Sequence, residues 1–389
     1  MTTTFEYGVC RLRDLQVPPS PADENPDAPP EKPSATRPLN TLLLNDRPVR
    51  TSKRFWNSLQ MRFGFTTNIF RYFTHAEVFR RISGRSPDDK IRYCLETEEG
   101  HTTSRLLAVS NPTGGLVDKD ELDNLLTRYR AKESKYHDGI VRSHHTPRHG
   151  GPFTIAGDGF EAQYVIETPI DGFGRPMVYL AMLRQICTNG AVAMTPAFRS
   201  EINLGKGTGK RGAVATFGLE RALEGFNNEE GFAALRQRFE GSSRSWASIH
   251  EVSRLGRMIT NLVTTNELPL RFTPKGGDGG SVGDGYSMMG RYRQITGDLM
   301  SMYGLANLDA ISAKRQRTLP TACRVYDLLN FASELATHHA KPAGARKLQG
   351  FIGDLVSGEF DLENTADQFS DWRDFFLDES IPSATKRKK

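Results

Sequence analysis

Between residues 53 and 75 the chain reads KRFWNSLQMRFGFTTNIFRYFTH, where Lys53, Arg54, Arg62 and Arg71 are interleaved with Phe55, Trp56, Phe63, Phe65, Phe70, Tyr72 and Phe73. Cations that follow a phosphate backbone, together with flat rings on which bases stack, are the two components of single-strand binding. This pattern assigns Lys53, Arg54, Arg62 and Arg71 to phosphates and Trp56 and Tyr72 to stacking. The alternative, for any single ring, is a place in the core. A second basic stretch, GKGTGKRG at 205–212, sets Lys206, Lys210 and Arg211 among glycines, a composition that can bring amides and charge to a phosphate. Arg148 and Arg184 complete the expected contact set. Lys314, Arg315 and Arg317, and also Arg236 and Arg238, either extend the track or are solvated helix ends.

Other motifs carry weaker chemistry. GTGKRG at 207–212 satisfies G-x-G-x-x-G, but the flanking EINL is a poor buried strand and the following AVATF reads as extended, so the strand–helix context of a dinucleotide site is missing. With Leu204 and Arg211 where Gly and Ser/Thr are needed, it is not a P-loop either. GGSVG at 279–283 fits G-x-S-x-G inside glycine-rich flanks that supply neither strand nor helix for a nucleophile elbow. His144, His145 and His149, with Asp158 or Asp171, supply donor types for a divalent metal at a spacing that matches no known site geometry. Glu334 and His338 stand at i,i+4 beside His339. Pro87-Asp88 with Glu133-x-Lys135 is a nuclease-like pairing at long separation.

The elements that must position these residues follow from periodicity. Thr51 or Ser52 caps a helix from about Lys53 to Arg62. From about Ile91 to Phe217 short strands dominate: IRYCLET, SRLLAVS, GIVRS, FEAQYVIET and PMVYLAML, with one helix over about Lys119–Lys132. Helical stripes then take over, with Trp246, Ile249, Val252, Leu255, Ile259 and Leu262 on one face and Val325, Leu328, Leu329, Ala332, Leu335 and Ala336 on another. The fold class expected is α+β, a curved antiparallel sheet with packed helices followed by a mainly helical C-terminal half. The expected divisions are an N-terminal segment and Pro-rich linker over 1–50, in which TFEYGVCRLRDL at 4–15 is either a short strand or a docking peptide, a strand-rich core over 51–217, a helical region over 218–352 with a mobile glycine-rich loop at 273–290, and a tail over 353–389. Eight of the 21 prolines fall between Pro18 and Pro38.

Charge is distributed unevenly. Of the net +5, residues 353–379 contribute nine acids against Arg373, and residues 51–352 carry +10. A basic body with an acidic tail points to a polyanionic partner, and the tail is either a competitor for the basic surface or bait for a protein. Four scattered cysteines with no C-x-x-C pair argue against a disulfide framework and a zinc knuckle. No apolar run reaches the ~18 residues of a membrane helix, and the N-terminal sequence is too charged for a signal peptide, so a cytoplasmic address and no membrane partner are expected.

The runs RLLAVSNPTGGLVDKDEL, FEAQYVIETPIDGFGRPMVYLAMLRQICTNGAVAM, FNNEEGFAALRQRF with SWASIHE, and LPTACRVYDLLNFASELATHHA resemble the phage/plasmid-like proteins grouped as domain of unknown function 932. The resemblance covers roughly Arg50 to Ala340 and is most distinctive at ICTNG, 186–190. It implies a setting in phages, plasmids and bacterial genomes and no established activity, so no residue inherits a catalytic role. Within that stretch, Asn189-Gly190 suits a tight turn, and Arg184 faces either an anion or a buried carboxylate such as Asp171. The function expected is single-stranded DNA binding by a cofactor-free homo-oligomer, in annealing or protection during recombination or replication. The rivals are a metal-dependent nuclease or phosphodiesterase and a protein-interaction factor such as an inhibitor of host defence.

Overall fold

The computed structural model describes residues 3–19, 39–100, 102–147, 151–184, 190–192, 199–202, 204, 213–225, 228–272, 286–299, 311–317 and 319–357. Most of the expected linker, residues 185–189 of the distinctive motif, most of the glycine-rich loop and the tail beyond Ser357 lie outside these residues. So do Arg148, Lys206, Lys210 and Arg211. The fold is α+β, as expected, with antiparallel-rich open sheets and helices concentrated in the C-terminal half. The chain divides into two compact units. One comprises Met1–His145, Ile166–Val178 and Glu201–Phe226; the other comprises Thr146–Val165, Tyr179–Ser200 and Asn227–Lys389.

The first unit is built on a six-stranded sheet, β1 (Thr3–Arg11), β2 (Leu15–Gln16), β3 (Thr41–Leu44), β4 (Arg47–Thr51), β5 (Lys90–Glu98) and β6 (Arg105–Ser110), in the order β1-β5-β6-β4-β3-β2. Of the two readings open for residues 4–15 the strand is the one formed, as β1 and β2 about a 3-10 turn at Leu12–Asp14, and β3 and β4 extend the sheet into the part of 1–50 expected to be linker. All pairings are antiparallel except β4 with β6. Asn45 and Asp46, at φ of 49° and 62°, make the two-residue turn of the β3–β4 hairpin. Asn and Asp tolerate this left-handed backbone, which matches the twist of the flanking strands.

Helix α1 (Lys53–Phe63) begins where predicted, with the Ser52 hydroxyl accepting from Phe55 N. The same hydroxyl donates to the Leu107 carbonyl at 2.8 Å, and the Ser58 hydroxyl accepts from Val109 N at 2.9 Å. Two buried serines thus fasten α1 to β6. Gly64 ends the helix in the left-handed region at φ 70°, a conformation a Cβ would penalise. Helix α2 (His75–Arg85) starts with a capping box between Thr74 and Glu77. Phe55, Trp56, Leu59, Phe70, Val78 and Phe79 of this two-helix segment share a core with Leu42, Val49, Ile91 and Leu106 of the sheet.

Helix α3 (Lys119–Arg128), capped by Asp118, buries Leu122, Leu125 and Leu126 as its stripe requires. It stops four residues early, because Arg130 turns to φ 48° and Glu133 enters the hairpin β7 (Glu133–His137) and β8 (Ile140–His145). Helix α4 (Ala213–Gly225) replaces the extended segment expected at AVATF. Its Leu219 and Leu223 are buried at i,i+4, a helical spacing outweighing the β-branched start.

In the second unit, β9 (Phe153–Ile155) pairs with the start of β10 (Asp158–Pro169), and β11 (Met177–Arg184) pairs with β12 (Gly190–Val192). The remaining short strands are β13 (Arg199–Glu201), β14 (Trp246–Ser248), β15 (Arg271–Phe272), β16 (Tyr286–Ser287) and β17 (Pro320–Arg324). The helices are α5 (Glu229–Arg244), α6 (Ile249–Thr264), α7 (Met288–Thr296), α8 (Val325–Glu334) and α9 (Pro342–Ser357), with a short helix at Ala313–Gln316. Strand β16 and the first turn of α7 fall inside the stretch expected to be loop up to residue 290. Ile249, Val252, Leu255, Ile259 and Leu262 of α6 are all buried, as the stripe requires, and Phe160, Phe239, Phe331 and Phe351 are buried in the same unit, Phe160 meeting Phe239 edge-on.

Candidate nucleic-acid interface

The basic and aromatic residues of 53–85 separate into two populations. Trp56 is 7% exposed, meets Phe55, Phe70, His75 and Phe79 edge-on, and donates its indole N–H to the Thr51 hydroxyl at 3.2 Å. The stacking role assigned to Trp56 is therefore corrected: at positions 55, 56 and 59 the helical period turns the side chain onto the sheet. Tyr72, by contrast, is 74% exposed.

The arginines divide in the same way. Arg54 reaches inward to Asp171, which has no exposed surface, through a short Nε contact and an NH2 contact to Oδ1 at 3.0 Å, and also bonds the Phe173 carbonyl. Phe173 N donates to the same carboxylate at 3.0 Å. Burial raises the Asp171 pKa, and Arg54 pulls against it. Gly139 lies against the pair, where a Cβ would sit 2.6 Å from Oδ2, and its φ of 81° closes the β7–β8 turn. Arg54 is thus a buried clasp rather than a phosphate ligand. Arg62 is held by Asp89 at 3.0 Å and by the Lys90 carbonyl at 3.2 Å, which withdraws it from an open track.

Lys53 and Arg71 remain exposed, and α2 adds Arg80, Arg81 and Arg85, which the aromatic-interleaving signal did not include. The Arg81 guanidinium lies 4.6 Å above the Phe73 ring, which sets the outer stripe of α2 against the turn that carries Arg71 and Tyr72. Within 53–85 the one carboxylate, Glu77, is spent on the Thr74 amide at 2.8 Å. The outer surface of the segment therefore presents cations, Tyr72 and the 77%-exposed Met61. Arg80 and Arg81 fall on the side of α2 away from the buried His75, Val78 and Phe79, with Arg85 in the last turn, and this placement is the sequence signal that locates the additional arginines.

The other candidates are placed elsewhere. Arg184 faces a carboxylate, but the partner is Asp158 at 2.7 Å, not Asp171. Tyr326 donates to the second oxygen of Asp158 at 2.5 Å. Burial works to raise the Asp158 pKa, and the bonds from Arg184 and Tyr326 outweigh it, so the group stays ionised below the ordinary range. His145 is buried, 2.8 Å from the Ser143 hydroxyl, and burial with the neighbouring His144 lowers its pKa to about 4. His149 lies outside the described residues. Asp88 pairs with Arg11 and Arg13, and Glu133 with Lys135. Glu334 meets His339 rather than His338, at 3.8 Å, because Leu335–His339 is a π-helical turn that shifts the register by one. Among the described residues no group of three or more His, Cys, Asp or Glu side chains is arranged to hold a metal ion. Burial pushes the Cys10 and Cys323 thiols up to about 12, leaving them protonated and inert. A cavity of about 900 Å³ in the first unit is lined by Asp118, Lys119, Asp120 and Asp123 with Phe5, Tyr7 and Tyr136; Lys119 pairs with Asp123, and the lining stays net acidic, which disfavours a polyanion there. No described helix is long and apolar enough to cross a membrane.

No family model, curated protein or solved structure matches the chain. The resemblance to domain of unknown function 932 thus rests on the runs quoted above.

Proposed function

We propose that the protein binds single-stranded nucleic acid on the outer surface of α1, α2 and the turn between them. The observation that carries this reading is that Lys53, Arg71, Arg80, Arg81 and Arg85 of this segment are exposed together with the solvent-facing ring of Tyr72, and that the Arg81 guanidinium lies on Phe73, the residue next to Tyr72. Cations attract the backbone without regard to sequence, and an exposed ring offers a face to any unpaired base. A duplex hides its bases, so the ring favours single strands. The family resemblance supplies the setting, annealing or protection of strands during recombination or replication in mobile elements.

Fluorescence anisotropy of a labelled oligonucleotide against its duplex, over a salt series, tests the reading. Wild-type protein is expected to prefer the single strand with a steep salt slope. Tyr72→Ala is expected to weaken single-strand binding by ~1–3 kcal/mol, the worth of one stacked base, with duplex binding little changed. No binding at low salt would refute the proposal.

A further inference from the structure

We infer that the second unit carries its own phosphate-binding surface, formed by one side of α6 and the neighbouring Arg317, and that single strands engage it as well as the first unit. The inference rests on the proposed function above and adds a site to it.

Three basic residues, His250, Arg254 and Arg257, are spaced i, i+4 and i+7 along α6, one stripe on the side opposite the buried Val252, Leu255 and Ile259. The Leu319 carbonyl accepts from Ile249 N at 3.0 Å, and Leu319 N donates to the Arg315 carbonyl at 3.0 Å. These two bonds tie Leu319 and Arg315 to the first turn of α6, and Arg317 lies within electrostatic reach of His250 together with Arg254 and Arg257. Arg257 and Arg317 are exposed. Arg254 is partly neutralised by Asp354 of α9 and lies 5.4 Å from the centre of the Phe351 ring, so it is the anchored member of the group. The carboxylate of Glu251 is turned away, accepting from Ser248 N at 2.7 Å as half of the helix cap. Like charges gathered around one imidazole repel one another; burial and the three guanidinium groups hold His250 below its ordinary pKa. An approaching phosphate relieves that repulsion, and a flexible polyanion does so at several points together.

The test uses the full chain and a labelled single-stranded oligonucleotide. Each cation that contacts a single strand contributes ~0.7 to the slope of log K against log salt. The double variant Arg257→Gln/Arg317→Gln is expected to lower the slope by ~1.4, equivalent to on the order of 25-fold weaker binding at 0.1 M salt. Both side chains are exposed, so thermal stability should stay unchanged, which is checked alongside. A wild-type slope and affinity in that variant, with binding still lost in Arg71→Gln/Arg81→Gln, would overturn the second surface and leave the first standing. Loss of slope in both variants supports two surfaces. A wild-type protein that binds no single strand overturns both readings.

Discussion

Replacing Arg54 by methionine separates a structural arginine from a binding one. Methionine keeps the length and the apolar stem of the side chain while removing the guanidinium. Asp171, with no exposed surface, would then keep one described donor, Phe173 N at 3.0 Å, in place of the two-pronged contact. Breaking a buried pair by removing one partner costs about 3–5 kcal/mol, because the remaining charge is neither solvated nor compensated. For a unit of this size each kcal/mol moves the Tm by ~2–4 °C, so Arg54→Met is expected to lower the midpoint by roughly 6–20 °C. The assay is thermal unfolding followed by circular dichroism, with single-strand anisotropy measured well below the midpoint. Affinity at low temperature should be near wild type. Adding Asp171→Asn to Arg54→Met should recover part of the loss, since a neutral amide still accepts from Phe173 N without a buried charge. An Arg54→Met protein that melts like wild type but no longer binds would refute the clasp and return Arg54 to the phosphate surface.

Further expectations concern the packed residues. Trp56→Ala should destabilise by about 3–5 kcal/mol through cavity formation, whereas Tyr72→Ala leaves stability within about 0.5 kcal/mol; denaturant titration distinguishes them, and equal stability losses would contradict the assignment of one ring to the core and the other to solvent. His145 titrates at about 4 in the folded chain and near 6.5 when unfolded, so between these values the unfolded state binds the extra proton and stability falls as the pH drops. That loss is ~3 kcal/mol from neutral pH to pH 4. His145→Asn should flatten the acid limb of a stability–pH curve by this amount, and an unchanged limb would place the acid sensitivity elsewhere.

Much of the secondary structure was legible because the elements are either amphipathic helices or short apolar, β-branched and aromatic runs bounded by turn residues, which read as buried strands. The strands at 91–97, 104–110, 160–168 and 176–183, the Ser52 cap and the stripe of α6 all follow from period and capping chemistry alone. The elements that escaped had weak or misleading local signals. Strand β1 lies at the sheet edge, and its sequence leaves a short strand and a docking peptide equally open until its nine-residue register with β5 is known. The β3–β4 hairpin was masked by the proline-rich sequence before it, although Asn45-Asp46 is a turn signal. Helix α4 opens on a β-branched, glycine-flanked stretch that reads as extended until Leu219 and Leu223 are paired by burial.

The candidate site was harder to read, and Trp56 and Tyr72 show why. Both are aromatic, both stand beside arginines, and composition treats them alike. What separates them is geometry: Trp56 falls on the α1 face turned to the sheet, while Tyr72, at the end of the connecting turn between the buried Phe70 and the core-packed Phe73, is itself turned to solvent. The same distinction applies to charge. Arg54 points toward Asp171, a residue 117 positions away in sequence, so no local window reveals that its charge is already spent. Arg80 and Arg81 follow a single ring, the buried Phe79, and Arg85 follows none, so a run of interleaved cations and rings ends before them, yet the fold brings Arg81 onto Phe73. A basic–aromatic run therefore identifies the segment correctly while mislabelling its members. The cations free to meet a phosphate are those for which the fold supplies no carboxylate, and that quantity depends on tertiary pairing rather than on spacing.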